Sequence, residues 1–178
     1  NGRTICYGYL FVGDKLLSES GMENHPLTPM TDASLVRVLD AQTKYSVGLV
    51  DHRTVAAGPE AVRAGFDTLR SEGHRHAIVD ALSDDDLFTI GTACAHLKLV
   101  TGGSGVALGL PENFRRAGKL FAGTVADQLP AVPGLSAVLS GSCSQATLGQ
   151  VAAMQQSRPS FQLDPSKLAA GEDQAAEA

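Results

Sequence analysis

The sequence predicts an α/β fold, because short apolar strands alternate with amphipathic helices and glycine or proline marks the boundaries between them. Residues 45–50 predict a buried strand, and residues 58–73 predict a helix that Pro59 begins and Gly73 ends. Residues 76–79 predict a second strand and residues 99–100 a third. This β-α-β-α-β order implies parallel strands joined by right-handed crossovers.

The helix between the second and third strands has a clear beginning. Ser83 followed three residues later by Asp86 is typical of a capping box, and the apolar residues after it keep helical spacing, at positions 87, 90, 94 and 97. Upstream, residues 4–20 predict a hairpin that turns at Gly13 and Asp14. Thr31 and Asp32 follow a proline-containing loop and are expected to cap a helix that begins near Leu35.

Composition excludes several classes of protein. The 178 residues are 43% hydrophobic and 19% charged, as in globular proteins, and the net charge of −5 is opposite to what nucleic-acid binding requires. The apolar runs are shorter than the roughly 20 residues that cross a bilayer, so we expect no membrane insertion and a cytoplasmic location. Cys6, Cys94 and Cys143 share no CxxC spacing, which disfavours a disulfide framework or a zinc site, and we assign no metal-binding residues.

The organisation of the chain predicts two domains. Residues 111–134 combine a basic helical segment with a stretch rich in proline and glycine, which is typical of a linker, and residues 136–140 predict a new strand. We therefore place the domain boundary between residues 132 and 133. The chain begins at Asn1 in strand-like sequence and ends in a polar tail, so we expect it to be a piece of a longer protein.

Two runs of small residues are candidate anion sites. TGGSG at 101–105 and SGSCS at 140–144 each follow a short apolar stretch, and the second precedes a predicted helix. Backbone N–H groups left unpaired at such a turn can bind a phosphate or carboxylate. The alternative is an ordinary strand-to-helix loop whose serines cap the helix. Neither run continues into the lysine of a P-loop, and no complete GxGxxG motif follows a strand.

Ligands of parallel sheets lie beyond the carboxyl ends of the strands, which directs attention to the residues there. Those residues are Asp51 and His52, Asp80 and Ala81, and the run 101–105. His25 lies in the stiff segment HPLTPM together with Thr28, and no core pattern requires it, which favours a ligand role for that loop. The other histidines are interpreted as solvated or structural.

Four segments resemble the four-carbon acid sugar kinases, and within that family the 3-oxo-tetronate kinases. The segments are LLSESGMENHPLTPMTDASLVRVL (16–39), AIVDALSDDDL (77–87), LVTGGSGVALGLPENF (99–114) and VLSGSCSQATLGQV (138–151), in the family's order. The resemblance implies a kinase that uses ATP and Mg²⁺ to phosphorylate the terminal (4-) hydroxyl of a four-carbon sugar acid. It also implies that residues 1–132 are the latter part of an N-terminal sugar-acid-binding domain, and that residues 133–178 begin a C-terminal nucleotide-binding domain.

The resemblance assigns the second small-residue run to the nucleotide, with ATP phosphates approaching Ser140, Gly141, Ser142, Cys143 and Ser144. From the strand ends and the HPLTPM loop, we expect the sugar acid to contact His25, Thr28, Asp80, Gly102, Gly103 and Ser104. The sequence assigns no catalytic base. Because an Asp-Asp-x-Thr-Gly-Ala-like segment and a C-terminal glycine-rich motif of the family are missing, we expect the chain alone to be catalytically inactive.

Two other functions are compatible with the same residues. One is a non-catalytic α/β module that holds a small anion at its small-residue turns. The other is a structural domain that contacts a partner through the predicted helix at residues 114–121. The sequence is also compatible with a homo-oligomer.

Overall fold

A computed structural model describes residues 2–25, 27–120, 128–142 and 144–174. The chain divides into two compact units, Asn1–Val125 and Ala126–Ala178. The fold is α/β with a parallel pair of strands, as predicted. The domain boundary expected between residues 132 and 133 stays a prediction.

The first unit contains all of the described strands and five of the described helices. The strands are β1 (Arg3–Cys6), β2 (Tyr9–Val12), β3 (Lys15–Leu16), β4 (Val47–Val50) and β5 (His76–Val79). The helices are α1 (Leu35–Asp40), α2 (His52–Ala56), α3 (Pro59–Ser71), α4 (Asp84–Ala93) and α5 (Pro111–Arg116). Short 3₁₀ segments, at Leu17–Glu19, Met22–Asn24, Cys94–His96 and Ser104–Gly109, connect them.

Strands β1, β2 and β3 form an antiparallel ribbon with two tight turns. Val12 pairs with Lys15, so the predicted turn at Gly13 and Asp14 is confirmed. The ribbon has a second turn that the sequence analysis missed: Cys6 pairs with Tyr9 around Tyr7 and Gly8. Such turns are usually built from Asn-Gly or Asp-Gly, a signal that this segment lacks.

Strands β4 and β5 form the parallel pair, with Val47 opposite His76 and Val50 opposite Val79. The bounds predicted for β5 are confirmed, whereas β4 begins two residues later than predicted. The third strand, predicted at residues 99–100, is wrong: the segment is irregular, and Leu99 is 78% exposed. A strand needs a neighbour that shares its hydrogen bonds, and no described segment supplies one here.

The helix boundaries follow the capping residues. Helix α3 begins at Pro59 as predicted, and Ser83 and Asp86 form the predicted capping box at the start of α4. The cap of α1 is Ser34, not Thr31 or Asp32 as predicted. Asp32 instead accepts a hydrogen bond from the Ser34 N–H and pairs with Arg37, which holds its pKa below the ordinary value.

The core of the first unit lies between the parallel pair and the helices that follow each strand. Its buried members are Val50, Val55, Val62, Ile90, Ala93 and Cys94, with Phe66, Leu69, Val79 and Val106 packed around them. Ile90 and Cys94 belong to the apolar stripe predicted for α4. Burial raises the pKa of the Cys94 thiol, which fits an apolar position.

The 3₁₀ segment Ser104–Gly109 packs closely on α4 because two glycines meet there. A Cβ atom on Gly91 would overlap the backbone of Gly109, and one on Gly109 would overlap the carbonyl of Leu87. The side-chain amide of Asn113, in α5, donates to the Gly91 carbonyl at 2.7 Å. This contact joins α5 to α4 beside the 3₁₀ segment.

The second unit contains α6 (Gln145–Gln155) and α7 (Pro165–Ala169). The helix predicted after residue 144 is confirmed, but the strand predicted at residues 136–140 is wrong. That segment is irregular, and Val138 and Leu139 are 68% and 95% exposed. In the described part of the chain, no helix has the length and apolar character needed to span a membrane.

Candidate functional site

The carboxyl ends of β4 and β5 are joined by the carboxylate of Asp80, which is completely buried. Its Oδ2 accepts from the backbone N–H of Tyr7 at 2.6 Å and of His52 at 3.0 Å, and its Oδ1 accepts from Gly8 at 2.8 Å. Asp80 therefore connects the first turn of the ribbon, the end of β5 and the start of α2. It was predicted to contact the sugar acid, but its carboxylate is enclosed by the protein's own backbone donors, and a direct contact stays a prediction.

Two further side chains lie beside Asp80 at the same edge. Asp51 caps α2 by accepting from the backbone N–H and the hydroxyl of Thr54, which lowers the pKa of its carboxyl. The Nε2 atom of His52 lies 3.5 Å from Oδ2 of Asp86. Burial raises the pKa of Asp86, but the N–H groups of Leu82 and Ser83 and the neighbouring His52 outweigh it, so the net shift is downward.

Tyr7 is a residue at this edge that sequence reasoning missed. It has a φ of 49°, the only positive value among the described residues other than glycine. Half of its surface is exposed, and its turn is attached to the strand edge by paired hydrogen bonds between Ile5 and Ala81. A tyrosine beside a glycine is a weak turn signal, so only the tertiary contacts reveal this position.

The predicted site residues Gly102, Gly103 and Ser104 are exposed. They lie between Val100 and Val106, which both pack against the core of the first unit. Gly105 follows them beside Leu87, in the first turn of α4. The structure thus anchors this turn at both ends next to the helix that carries Asp86, although no hydrogen bond joins the turn to Asp80 in the described residues.

His25 and Thr28 form a local turn. The Nδ1 atom of His25 accepts from the backbone N–H of Leu27 at 3.3 Å and of Thr28 at 3.1 Å. An Nδ1 that accepts carries no proton, so the neutral ring holds its proton on Nε2 and can donate from that atom. Both residues are exposed, and no described hydrogen bond connects them to Asp80 or to residues 102–104. Their predicted role in sugar-acid binding stays a prediction.

In the second unit, serine hydroxyls organise the start of α6. The hydroxyl of Ser144 accepts from the Thr147 N–H at 3.2 Å, and that of Ser142 accepts from the Ser144 N–H at 3.2 Å. This agrees with the alternative in which the serines cap the helix. Ser140, Gly141 and Ser142 are nevertheless exposed, so they are accessible from solvent. Cys143, also assigned to the nucleotide, lies outside the described residues.

A groove of about 330 Å³ borders this small-residue run. Its lining combines the small residues Ser140, Gly141 and Ser142, the polar side chains of Thr147 and Gln150, and the apolar side chains of Val138, Leu139, Val151 and Met154. Gly141 has nothing within 4 Å of the place where a Cβ atom would stand, so a ligand can approach its backbone. The groove offers small polar residues and apolar surface side by side.

Comparison with known families shows which protein family the chain belongs to. The family described as "Sugar-binding N-terminal domain" matches residues 1–110. The chain belongs to this family. In this sugar-binding domain family member, the matched segment contains Asp80, His25, Thr28 and the turn at 102–104, whereas the run 140–144 lies beyond it.

Individual relatives extend the match past residue 110. A Burkholderia multivorans protein named 3-oxo-tetronate kinase is 61% identical over 97% of this chain, which confirms the resemblance drawn from the sequence motifs. The crystal structure of a Haemophilus influenzae protein matches with a TM-score of 0.66 and 44% identity over 99% of this chain. A Salmonella typhimurium structure, described as a candidate tRNA synthase, matches with a TM-score of 0.71 and 41% identity over 94% of the chain.

The chain spans 40% of the length of the Burkholderia relative. It covers 42% of the Haemophilus structure and 39% of the Salmonella structure. The match therefore covers less than half of each full-length relative, and an activity of the whole protein is proposed below.

Proposed function

We propose that this chain supplies the sugar-acid side, and the start of the nucleotide side, of an ATP-dependent kinase. The enzyme would transfer the γ-phosphate of ATP to the 4-hydroxyl of a four-carbon sugar acid such as 3-oxo-tetronate. The observation that carries the proposal is the 61% identity, over 97% of this chain, to a protein named 3-oxo-tetronate kinase.

On the sugar-acid side, the proposal is supported by exposed donors in the first unit. The Nε2–H of His25 and the hydroxyls of Thr28 and Ser104 can bind the carboxylate and hydroxyls of a small polyhydroxy acid. Gly103 has nothing within 4 Å of the place where a Cβ atom would stand, so a ligand can approach its backbone, and Gly102 lies beside it against Val106. We propose that Asp80 contributes by holding the surrounding backbone in place.

On the nucleotide side, the groove beside residues 140–142 supports the proposal. The apolar side chains around Val151 suit the base and ribose, and the exposed Ser140, Gly141 and Ser142 suit the phosphates, as does the N-terminus of α6. Cys143 and Ser144 complete the assigned set.

Mg²⁺ was predicted together with ATP. When bound, Mg²⁺ neutralises charge on the β- and γ-phosphates. The described residues contain no group of three or more His, Cys, Asp or Glu side chains that could hold a metal ion. We assign no metal ligand among those residues and propose that the ion enters with the nucleotide.

The test is a chimera in which this chain replaces the matching segment of the Burkholderia multivorans kinase. Identity of 61% across the replaced segment favours correct assembly. We expect the chimera to transfer phosphate from ATP to 3-oxo-tetronate, with phosphorus NMR placing the product phosphate on the terminal oxygen. We expect the 178-residue chain alone to give no transfer above an enzyme-free control.

Two variants of the chimera separate the half-sites. Ser142→Ala should raise the KM for ATP about fivefold and leave the KM for the sugar acid unchanged, because it removes one hydroxyl at the nucleotide groove. His25→Ala should do the reverse. A folded chimera that binds the sugar acid but transfers no phosphate would contradict the kinase and favour the non-catalytic anion-binding module.

A further inference from the structure

The turn formed by Tyr7 and Gly8 combines a strained backbone with an exposed aromatic side chain, and neither feature requires the other. Tyr7 occupies a left-handed backbone conformation that glycine and asparagine adopt with far less strain. Its phenol side chain is half exposed and makes no hydrogen bond with a described residue. A strained, non-glycine residue with a solvent-facing aromatic ring points to a function for that ring.

Asp80 is what holds Tyr7 in this conformation. The N–H groups of Tyr7 and Gly8 both point at the Asp80 carboxylate, at 2.6 and 2.8 Å, and Asp80 is completely buried. Charge-assisted bonds to a carboxylate are about twice as strong as neutral ones. The same carboxylate accepts from the His52 N–H, so the turn is tied to the first residue after the Asp51 cap.

The position of the turn is equally specific. Asp80 follows the last residue of β5, and Ile5 exchanges two backbone hydrogen bonds with Ala81, at 2.9 and 3.0 Å. Tyr7 therefore lies at the carboxyl edge of the parallel pair, where ligands of α/β sheets bind. Gly8 cannot be larger without crowding Val36 and Leu49, so the turn is also fixed from behind.

We propose that Tyr7 contacts the sugar acid and that Asp80 is a positioning residue, which acts by holding Tyr7 in its left-handed conformation at the strand edge. This proposal rests on the proposed function, because it assumes that this edge binds a four-carbon sugar acid. The ring face suits the C–H groups of the carbon chain, and the phenol suits a hydroxyl or carboxylate oxygen. Tyr7 selects for a polyhydroxy acid in this way.

The decisive variant is Tyr7→Asn, because Asn-Gly is the preferred sequence for this kind of turn. We expect it to raise the melting temperature of the 178-residue chain, since asparagine adopts a positive φ more easily. In the chimeric kinase, we expect the same change to raise the Kd for 3-oxo-tetronate about tenfold by calorimetry. A residue with only a structural role would not gain stability while losing affinity.

Asp80→Asn tests the positioning role. An amide presents only one oxygen, so one of the three backbone donors loses its acceptor, and we expect both a lower melting temperature and weaker sugar-acid binding. Adding Tyr7→Asn to Asp80→Asn should restore part of the melting temperature, because the turn then needs less support, and it should restore none of the affinity.

Matched controls are available in the same unit. Asp14→Asn changes an exposed carboxyl in the other turn of the ribbon, and Tyr45→Asn removes an exposed tyrosine away from this edge. Both should leave the Kd within about twofold of the wild-type chimera. Unchanged affinity in Tyr7→Asn would overturn the inference and leave the kinase proposal standing, whereas a wild-type chimera that fails to bind 3-oxo-tetronate would overturn both.

Discussion

In the first unit, Asn1–Val125, side chains from β4, α2, α3 and α4 close over a common core, whereas in the second, Ala126–Ala178, the large apolar side chains lie at the surface. Val62 and Val55 are at most 1% exposed, while Leu139 and Leu129 are 95% and 88% exposed. Of the described residues in the second unit, only Gln174 is buried, through hydrogen bonds to the backbone of Asp164.

This difference shows which of the two proposed sites is attached to a packed core. The proposed sugar-acid edge is attached to a packed core through Asp80, Val100 and Val106. The proposed nucleotide groove lies on α6, an 11-residue helix with no buried residue in its own unit. Isolated helices of that length are marginal in water. Paired glycine and apolar substitutions, one in each unit, test this contrast.

The largest expected effect is that of Gly91→Ala. A methyl group there would overlap the backbone of Gly109, which cannot move without displacing the 3₁₀ segment from α4. We expect a loss of about 3 kcal/mol or more in the free energy of unfolding, measured by urea titration of the 178-residue chain.

Its matched control is Gly149→Ala, in α6. The site of the new methyl group is open, and alanine favours a helix over glycine by about 1 kcal/mol. We expect an unchanged or slightly higher stability. Equal losses in the two variants would mean that α6 packs as closely as α4, contrary to the contrast drawn here.

The next effect is that of Val62→Ala. Val62 is completely buried in the core, and truncation there should cost about 2 kcal/mol in the free energy of unfolding. Leu148→Ala removes a larger side chain, but Leu148 is 49% exposed, so we expect a cost of about 0.5 kcal/mol or less. Thermal denaturation followed by circular dichroism measures both, and a larger loss at Leu148 would show a core in the second unit.

The smallest effect concerns pH and Asp86. The pKa of its carboxyl is lowered in the folded chain, so its contribution to stability is complete above the ordinary value of 3.8 and is lost as the pH falls through the lower folded pKa. We expect Asp86→Asn to cost about 1 kcal/mol at neutral pH and to flatten the loss of stability as the pH falls below about 4.

Asp85→Asn is the control for this experiment, because Asp85 is exposed one residue away on the same helical turn. Its acid unfolding curve should superimpose on that of the wild type. If Asp86→Asn keeps the full pH dependence, the interactions with Leu82, Ser83 and His52 do not stabilise the first unit as described.

Local patterns in the sequence determined the helices and the parallel pair. Gly58-Pro59, the Ser83–Asp86 capping box and the apolar run at 76–79 each act within a few residues, so they can be read without knowing the fold. The motifs around HPLTPM and SGSCS likewise identified the family relationship before any coordinates. The strands predicted at 99–100 and 136–140 did not form, because a strand depends on a hydrogen-bonding neighbour that is often distant in the chain.

The tertiary structure alone decided what the strand-end residues do. From the sequence, Asp80 was one carboxylate among several at the edge of a sheet, and Tyr7 was one aromatic residue in a strand. The hydrogen bond between them joins residues 73 positions apart in the chain. It forms because burial removes water from the Asp80 carboxylate, which then accepts from the backbone N–H groups of the ribbon turn. Short-range patterns encode elements, but which buried charge meets which backbone donor depends on how those elements pack.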